Sequence, residues 1–476
     1  MKRNWKILYS NYSGLEKKAI ELISAEVGKY ILRDKGVYTL HTLAVEPITE
    51  KFEKNIIVIG KYDDNVLIQK YIKKDEIPSN GYCVKVIPNP DDENLKIALI
   101  TAFEPINVFY AAVDFVDNYL PSAAVISGGL RTPAETFDKI LPDYSYTSSP
   151  QTEKRSIFTW GHPINNYRRY IDNIARLKIN QLIIWNDFLP VNASDVVSYA
   201  HEYEIEVIWG FAWGWTTNCN NTEIIENLDK IKSDIVDKFQ NTYNGAGDGI
   251  YFQSFTETHE ERLGGRLIAD VVTDFVNEVS DELYKINPDI HIQFGLHAMS
   301  VEKHIEFIAN VDERVEILWE DCGSFPYNYM PELGSDEDYE KTLEFTHKII
   351  NLRKRGLTGL VYKGMMTMDW TKFEHQSGPY IMGMASDELI EDDISMLSPI
   401  WKYFQSEWMN NGKRVWDFTR KICAETGANL NLCIAGALDG AIWFPQALCA
   451  EIMWNSSESY ETILDRVSKK SCVKFV

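Results

Sequence analysis

The stretch from Arg155 to Trp185, RSIFTWGHPINNYRRYIDNIARLKINQLIIW, contains the pattern that decides the fold. Its two ends, RSIFTW and QLIIW, are short and nearly continuous apolar runs, and the segment between them has apolar residues at helical spacing. Strands that helices bury on both faces are typically apolar throughout. The stretch therefore predicts a strand, a helix and a second strand parallel to the first.

The same alternation continues towards the end of the chain. Further apolar runs, each preceded by a segment of helical periodicity, are EVIWGFAW, GIYFQSF, IHIQFGL, VEILW, GLVYKGMM and LNLCIAGAL. Eight strand and helix units fit this count, so we predict an α/β fold with a (β/α)8 barrel over residues 151–476. The alternative is an open doubly wound sheet. No GxGxxG or GxxxxGKS loop follows the first strand, which disfavours that alternative.

Residues 1–150 have a different pattern. Short β-type runs at Asn55–Ile59, Tyr82–Ile87 and Lys96–Ile100 precede an apolar helix predicted over Ile106–Tyr119. Residues 121–150 are rich in Gly, Pro, Ser and Thr, a composition typical of a connection. We therefore predict a small α/β domain with a linker, and a domain boundary near residue 150. Two domains suit a chain of 476 residues.

The composition disfavours several classes of partner. The formal net charge is −22 and no Lys/Arg-rich run is present, so nucleic acid is not an expected partner. No apolar segment reaches the length of a signal peptide or of a membrane span, so we expect a cytoplasmic protein without a membrane partner. The seven cysteines lack zinc-site spacing, and no metal or cofactor is expected. The oligomeric state stays open between monomer and homodimer.

The informative residues of a parallel barrel lie just after each strand, because active sites form at the carboxyl ends of the strands. Indole rings stack on sugar rings and carboxylates bond sugar hydroxyls, so this set predicts a saccharide substrate. The predicted substrate-binding residues are Trp160, His162, Trp185, Asn186, Asp187, Trp213, Trp215, His259, His297, Trp319, Lys363, Asp369 and Trp370. Of the tryptophans, we expect Trp185, Trp213, Trp319 and Trp370 to line a pocket open to solvent.

Three carboxylates in this set are candidates for catalysis. Cleavage of a glycosidic bond needs a protonated acid and a second carboxylate on either side of the bond. Glu257 is the predicted general acid, and Glu320 or Asp321 is the predicted second carboxylate. The structural alternatives are a solvated loop acid for Glu257, and a helix cap or an ion pair for the other two.

Three segments resemble glycoside hydrolases of family 20 and of the α-glucuronidase families 67 and 115. YRRYIDNIARLKINQLIIWND resembles their first barrel helix and second strand, and FPQALCAEIMWN resembles their last barrel helix. KIALITAFEPINVFYAAVDFVDNYLP is similar to part of the non-catalytic domain that precedes the barrel in these families. The resemblance implies a two-domain enzyme that removes a sugar from the end of a glycan.

The resemblance also bears on the sugar. Family 20 places an Asp directly before the general acid to orient an acetamido group, whereas Thr256 precedes Glu257 here. WEDCGSFPYNY, with Glu320 and Asp321, looks more like the α-glucuronidases, which implies a terminal acidic sugar and inversion at the anomeric carbon. A uronate would need a cation, for which Lys363, Arg155 and Arg262 are candidates. The alternatives are a β-N-acetylhexosaminidase and a carbohydrate-binding barrel without catalysis.

Overall fold

A computed structural model describes most of the chain, and contacts among its residues divide it into two units. The first unit comprises Met1–Pro150 and Glu461–Val473, and the second comprises Gln151–Tyr460 and Lys474–Val476. The residues that the structure describes are 6–27, 39–42, 51, 55–122, 141–159, 164–186, 188–213, 226–256, 258, 260–297, 300–320, 336–362, 378–426, 429–436 and 440–476.

The first unit is built on a six-stranded mixed sheet. In spatial order its strands are Thr39–Thr42, Lys6–Tyr9, Ile56–Lys61, Asp92–Ala102, Tyr82–Asn89 and Tyr144–Ser148. The first four are parallel to one another, and each of the last two pairs antiparallel with its neighbour. The helical segments of this part of the chain are Gly14–Val27, Val66–Tyr71, Lys74–Glu76 and Pro105–Asp114, the last continuing as a π-helical turn over Phe115–Tyr119.

Two features of the first unit differ from the sequence interpretation. The segment interpreted as a linker contains the edge strand Tyr144–Ser148, in which the hydroxyl of Tyr144 donates to Asp114 over 3.1 Å. Residues 461–473 were assigned to the barrel region, but their contacts place them with the first unit, where Arg466 forms an ion pair with Asp114. Both contacts join residues far apart in sequence, so local composition gives no sign of them.

The second unit contains a closed barrel of eight parallel strands, which confirms the predicted fold. Pairing of the eighth strand with the first closes the barrel, with Leu432 opposite Arg155 and Ile434 opposite Ile157. In chain order the strands are Lys154–Phe158, Gln181–Trp185, Glu206–Gly210, Gly249–Gln253, His291–Leu296, Val315–Trp319, Thr358–Tyr362 and Leu430–Ala435.

Helices follow most of these strands. They are Tyr167–Arg176, Ala193–His201, Leu228–Lys238 with a π-helical turn over Phe239–Tyr243, Ile268–Ile286, Asp336–Ile350, Asp387–Thr426 and Phe444–Asn455. The predicted helix at Val301–Ile308 is instead a 3₁₀ segment, Glu302–Asn310, with non-helical backbone angles at His304. A further helix, Tyr460–Lys469, follows the one that we took as the last. Within the described residues, no helix combines the length and apolarity needed to cross a bilayer.

The first barrel helix shows how local sequence sets these elements. The side chain of Asn166 caps the amino end by accepting from the backbone N–H of Arg169 at 3.1 Å. Tyr170, Ile171 and Ile174 form the buried face that packs towards the barrel. The helix ends before Lys178, whose φ of 60° lies in the left-handed region and turns the chain towards the second strand.

Polar side chains fill the barrel near the amino ends of its strands. The carboxylate of Glu316 accepts from Gln293 Nε2 and from Asn431 Nδ2, each at 2.8 Å, and lies 2.9 Å from His291 Nε2. Gln181 joins this group by accepting from Gln293 and Asn431 at 2.9 Å. We call these five residues the lower network. Glu316, Gln293, Gln181 and Asn431 are all buried, and their hydrogen bonds offset the cost of removing them from water.

A charged pair lies at the edge of the lower network. Glu206 accepts from Gln181 Nε2 at 2.9 Å and forms an ion pair with Lys154. Burial alone would raise the pKa of Glu206, but the imidazole of His291, 3.8 Å away, and the ion pair with Lys154 lower it to about 2. Burial alone would lower the pKa of His291, but the carboxylates of Glu206 and Glu316 raise it to about 9. Protonated His291 therefore stabilises the folded state.

We predict that His291→Gln lowers the free energy of unfolding by roughly 1–3 kcal/mol at neutral pH, because Glu316 loses its cationic partner. The folded-state pKa of His291 is raised from 6.5 to about 9, so its contribution is complete below pH 6.5 and is lost as the pH rises through 9. Urea unfolding of wild type and variant at pH 6 and pH 9.5 should show the difference shrinking at the higher pH. His201→Gln, at an exposed pair with Asp248, is the control and should have little effect. An equal difference at both pH values would contradict this assignment.

Candidate functional site

The structure describes only part of the predicted site. Trp185, Asn186, Trp213, His297, Trp319 and Glu320 are among the described residues. The other predicted residues lie outside them, and these are Trp160, His162, Asp187, Trp215, Glu257, His259, Asp321, Lys363, Asp369 and Trp370. The described part of the site lies at the carboxyl ends of the second, fourth, fifth and sixth strands.

Glu320 follows the sixth strand directly and is completely buried, at 0% exposure. Three side chains meet at its carboxylate. Two lie in the fourth strand, and the third directly follows the fifth strand. Tyr251 Oη donates to Oε1, Gln253 Nε2 donates to Oε2, and His297 Nε2 lies 2.9 Å from Oε2. We call these four residues the Glu320 cluster. The cluster therefore holds the carboxyl group in a fixed position at this end of the barrel.

His297 and Gln253 are also in direct contact. Their Nε2 atoms are 2.8 Å apart, and because an amide nitrogen can only donate, the imidazole nitrogen is the acceptor in this contact. His297 is only 5% exposed, so its ring is fixed by these neighbours rather than by solvent.

Gly295 makes room for the cluster. It lies in the fifth strand opposite Gln253, and a Cβ atom at this position would overlap with Glu320 Oε1 and with Tyr251 Oη. Glycine is therefore required here because two polar side chains pass close to the backbone.

Trp185 and Tyr380 border the same end of the barrel. The indole of Trp185 packs against Tyr251 and Phe158, with ring centroids 5.2 and 6.3 Å away, inside the barrel. Burial raises the pKa of Tyr380 to about 12, and the nearby side chain of Asn186 partly offsets this rise. Backbone hydrogen bonding between Val191 and Tyr380, at 2.9 Å, holds this tyrosine beside the loop after the second strand.

The expectation that the tryptophans line a pocket open to solvent is wrong for two of them. Trp213 is fully buried and stacks on Phe252 with centroids 3.5 Å apart. Trp319 is 3% exposed, and its indole nitrogen donates to Thr346 Oγ1 at 3.2 Å. Side chains alternate along a strand, so Trp319 faces the helices while its neighbour Glu320 faces the barrel interior. Trp185 points inwards but is also buried, at 4% exposure.

Sequence reasoning missed the residues that support Glu320. Tyr251, Gln253 and Gly295 lie inside strands, whereas the residues predicted to form the site follow strands. Polar residues on the inward-facing positions of an otherwise apolar strand were the available signal. Among the described residues, no group of three or more His, Cys, Asp or Glu side chains is arranged to hold a metal ion.

We predict that Gly295→Ala displaces the Glu320 side chain and destabilises the protein by roughly 1–3 kcal/mol, because the new methyl group overlaps with two buried polar atoms. Thermal unfolding gives the stability, and a crystal structure of the variant gives the position of the carboxylate. The double variant Gly295→Ala/Tyr251→Phe removes one of the two overlapping atoms and should recover part of the loss. A Gly295→Ala protein of wild-type stability with an unmoved Glu320 would contradict this account of the glycine.

Comparisons with known proteins give similarities in structure. No protein-family model and no curated protein sequence matches the chain. The structure described as "Structure of CpGH84B" aligns over 97% of this chain and 70% of that one, at 12% identity and a TM-score of 0.48. The chitobiase FjGH20 of Flavobacterium johnsoniae aligns over 76% and 56%, at 10% identity and 0.41. The clostridial cellulose synthase subunit Z of Clostridioides difficile aligns over 66% and 99%, at 12% identity and 0.35. All three TM-scores are below 0.5, so these similarities do not indicate the function of this chain.

Proposed function

We propose that the chain is a glycoside hydrolase that removes a terminal sugar from a glycan at the carboxyl end of the barrel. The observation that carries the proposal is the Glu320 cluster, in which a fully buried carboxylate at the end of the sixth strand accepts hydrogen bonds from two side chains of the fourth strand. Such a carboxylate lies where barrel enzymes carry their catalytic groups, and it is fixed in position by its neighbours.

Glu320 is proposed as the second carboxylate of the reaction. The transition state of glycoside cleavage resembles an oxocarbenium ion, and a negative charge beside it lowers its energy. Hydrogen bonds from Tyr251 and Gln253 hold the carboxylate in one orientation. His297 Nε2 lies 2.9 Å from Glu320 Oε2, the oxygen that also accepts from Gln253.

Glu257 is proposed as the general acid. It follows the fourth strand by four residues, and this strand contributes Tyr251 and Gln253 to the Glu320 cluster. The carboxyl ends of parallel strands meet at one mouth, so residues after the fourth and sixth strands are placed to act on the same bond. Asp321 is the alternative to Glu320 as the second carboxylate.

The sugar class is proposed from fewer observations. Thr256 occupies the position of the acetamido-orienting Asp of family 20, and its buried side chain has no carboxylate with which to orient an acetamido group. This favours a terminal uronic acid over an N-acetylhexosamine. Arg155 is excluded as the cation for a uronate, because its guanidinium donates to Thr152 O and Lys178 O near the start of the first strand. Arg262 donates to Gly265 O in an exposed turn, which leaves Lys363 as the candidate.

The test is a panel of nitrophenyl glycosides and oligosaccharides capped by a uronic acid or by N-acetylglucosamine. Wild type should hydrolyse one class, and Glu257→Gln should lower kcat by roughly 10²–10⁴-fold on substrates with poor leaving groups. Glu320→Gln should lower kcat by about 10³-fold. Glu260→Gln, three residues from Glu257 and exposed, is the matched control and should keep wild-type kcat.

Circular dichroism of each variant separates lost chemistry from lost folding. If wild type bound a saccharide but hydrolysed no member of the panel, the proposal of an enzyme would be wrong, and the chain would be a carbohydrate-binding barrel. Normal activity in Glu320→Gln would remove Glu320 from the reaction and leave Asp321 as the second carboxylate. Hydrolysis of the N-acetylglucosaminides alone would overturn the uronic acid assignment.

We further predict inversion at the anomeric carbon, as the resemblance to the α-glucuronidases implies. Inversion requires a water molecule between the two carboxyl groups, which are then roughly 6.5–9.5 Å apart. Proton NMR during early turnover identifies the first anomer released, before mutarotation equilibrates the two. Release of the anomer with the configuration of the substrate would instead indicate a covalent intermediate.

A further inference from the structure

Exposed apolar side chains lie on the face of the barrel that carries the Glu320 cluster. Four of the large apolar side chains that the described residues expose belong to the loops after the second and seventh strands. They are Phe188, Val191, Ile381 and Met384, at 45%, 66%, 62% and 77% exposure, and we call them the apolar rim. Loops that follow barrel strands form the face on which barrel enzymes bind their substrates. The apolar rim is therefore on the substrate-binding face.

Hydrogen bonds hold the two loops of the apolar rim against each other. The backbone N–H of Val191 donates to Tyr380 O at 2.9 Å. The side chain of Asn192 accepts from Met382 N at 2.8 Å and donates to Met382 O at 3.1 Å. Val191 and Ile381 are therefore neighbours. Within each loop the two rim residues are three positions apart, so they lie within about 11 Å of each other.

The loop after the first strand fixes the seventh-strand loop from another side. Tyr167 N donates to Gly383 O at 3.1 Å, and Ala385 N donates to Asn165 O at 2.8 Å. Gly383 has a φ of 41°, and a Cβ atom at this position would overlap with Ile164 O. The side chains of the apolar rim therefore project from backbone that its neighbours hold in place.

Neither segment of the apolar rim contains a charged residue. Residues 188–193 are FLPVNA and residues 378–386 are GPYIMGMAS, whereas 25% of the residues in the whole chain are charged. Single exposed apolar residues are normal on protein surfaces, but neighbouring ones in two uncharged loops indicate contact with an apolar group.

The side chains of the rim suit an apolar group better than a sugar or a second protein. Sugars bind by stacking on flat aromatic rings and by hydrogen bonds to their hydroxyls. Three of the four rim residues are aliphatic and have neither a flat ring nor a hydrogen-bonding nitrogen or oxygen. A stable protein interface uses roughly 20–30 residues on each side, far more than the rim provides.

We propose that the apolar rim binds the aglycone, the leaving group of the glycoside, and that this aglycone is an apolar alcohol rather than a further sugar. The inference rests on the proposed glycosidase function. With the terminal sugar at the Glu320 cluster, the group on its anomeric oxygen leaves the barrel across the loops around the mouth. Tyr380 connects the two regions, because its phenol is near Asn186, directly after the second strand, and its backbone oxygen accepts from Val191.

The test compares methyl and hexyl glycosides of glucuronic acid and of N-acetylglucosamine. Methanol and hexanol are both unactivated alkyl leaving groups, so within a pair a difference in kcat/KM reports binding of the alkyl chain. Wild type should have a kcat/KM at least about tenfold higher on the hexyl than on the methyl glycoside of the sugar that it hydrolyses. The reason is that five additional methylene groups can leave water.

Two double variants locate the effect. Ile381→Ser/Met384→Ser should lower the hexyl-to-methyl ratio of kcat/KM at least about threefold, because the apolar contact area is lost. Ile400→Ser/Met409→Ser is the matched control and should keep the wild-type ratio. It makes the same two exchanges at exposed positions of the helix Asp387–Thr426, about 20 and 33 Å along the helix from its first residue. Circular dichroism should show both variants folded.

Calorimetry with the same four compounds measures binding without turnover and separates this inference from the proposed function. Tighter binding of a hexyl than of the matching methyl glycoside, without hydrolysis, would support the apolar rim and remove the enzyme. Hydrolysis with equal kcat/KM on both members of a pair would overturn the role of the rim and leave the enzyme. Without hydrolysis and without preference for the hexyl compound, both proposals fail.

Two further results would also overturn the assignment of the rim. One is an equal fall of the hexyl-to-methyl ratio in the two double variants. The other is a dimer in analytical ultracentrifugation that Ile381→Ser/Met384→Ser dissociates, since the rim would then be a contact between copies of the chain.

Discussion

Closure of eight parallel strands into one barrel is the constraint on which the site depends. Once the eighth strand pairs with the first, every strand has one inward and one outward set of side chains. The difference between Trp319 and Glu320 follows from this alternation alone. The tryptophan packs outside against Thr346, and the next residue joins the polar cluster inside. A shift of one residue in strand register would exchange these roles, so the buried charge also fixes the register.

Two groups of polar residues lie inside the barrel, and each stabilises a buried carboxylate with a different set of partners. The lower network is placed near the amino ends of the strands, where Glu316 is paired with His291 and with two amides. This end of a barrel ordinarily serves stability. The Glu320 cluster lies at the other end and surrounds a carboxylate with a phenol, an amide and an imidazole. Its geometry is fixed by strands, so the loops beyond them can differ in sequence without moving the carboxylate.

Much of the fold could be predicted from the sequence, because barrel strands buried on both faces are apolar throughout. The position of Glu320 after the sixth strand followed from the same rule. The direction of Trp213 and Trp319 did not, since a residue at a strand end can turn inwards or outwards. The edge strand Tyr144–Ser148 was missed because Ser, Thr and Pro around it have the composition of a loop. The contact between Arg466 and Asp114 joins residues more than 350 positions apart, which no local pattern reveals.

The hydrogen bonds to Glu320 come from residues inside a strand. A site of this kind is therefore built from strand interiors as well as from strand ends. A carboxylate at 0% exposure is stable only if its hydrogen-bonding capacity is satisfied by neighbours, and here the donors come from the fourth strand, across the fifth. Tyr251 and Gln253 are two residues apart and therefore point to the same side of the fourth strand. Gly295 in the fifth strand then leaves the space in which Tyr251 meets Glu320. One inward-facing glycine between two polar strands is thus a sequence feature that could locate a buried strand-end acid in other barrels.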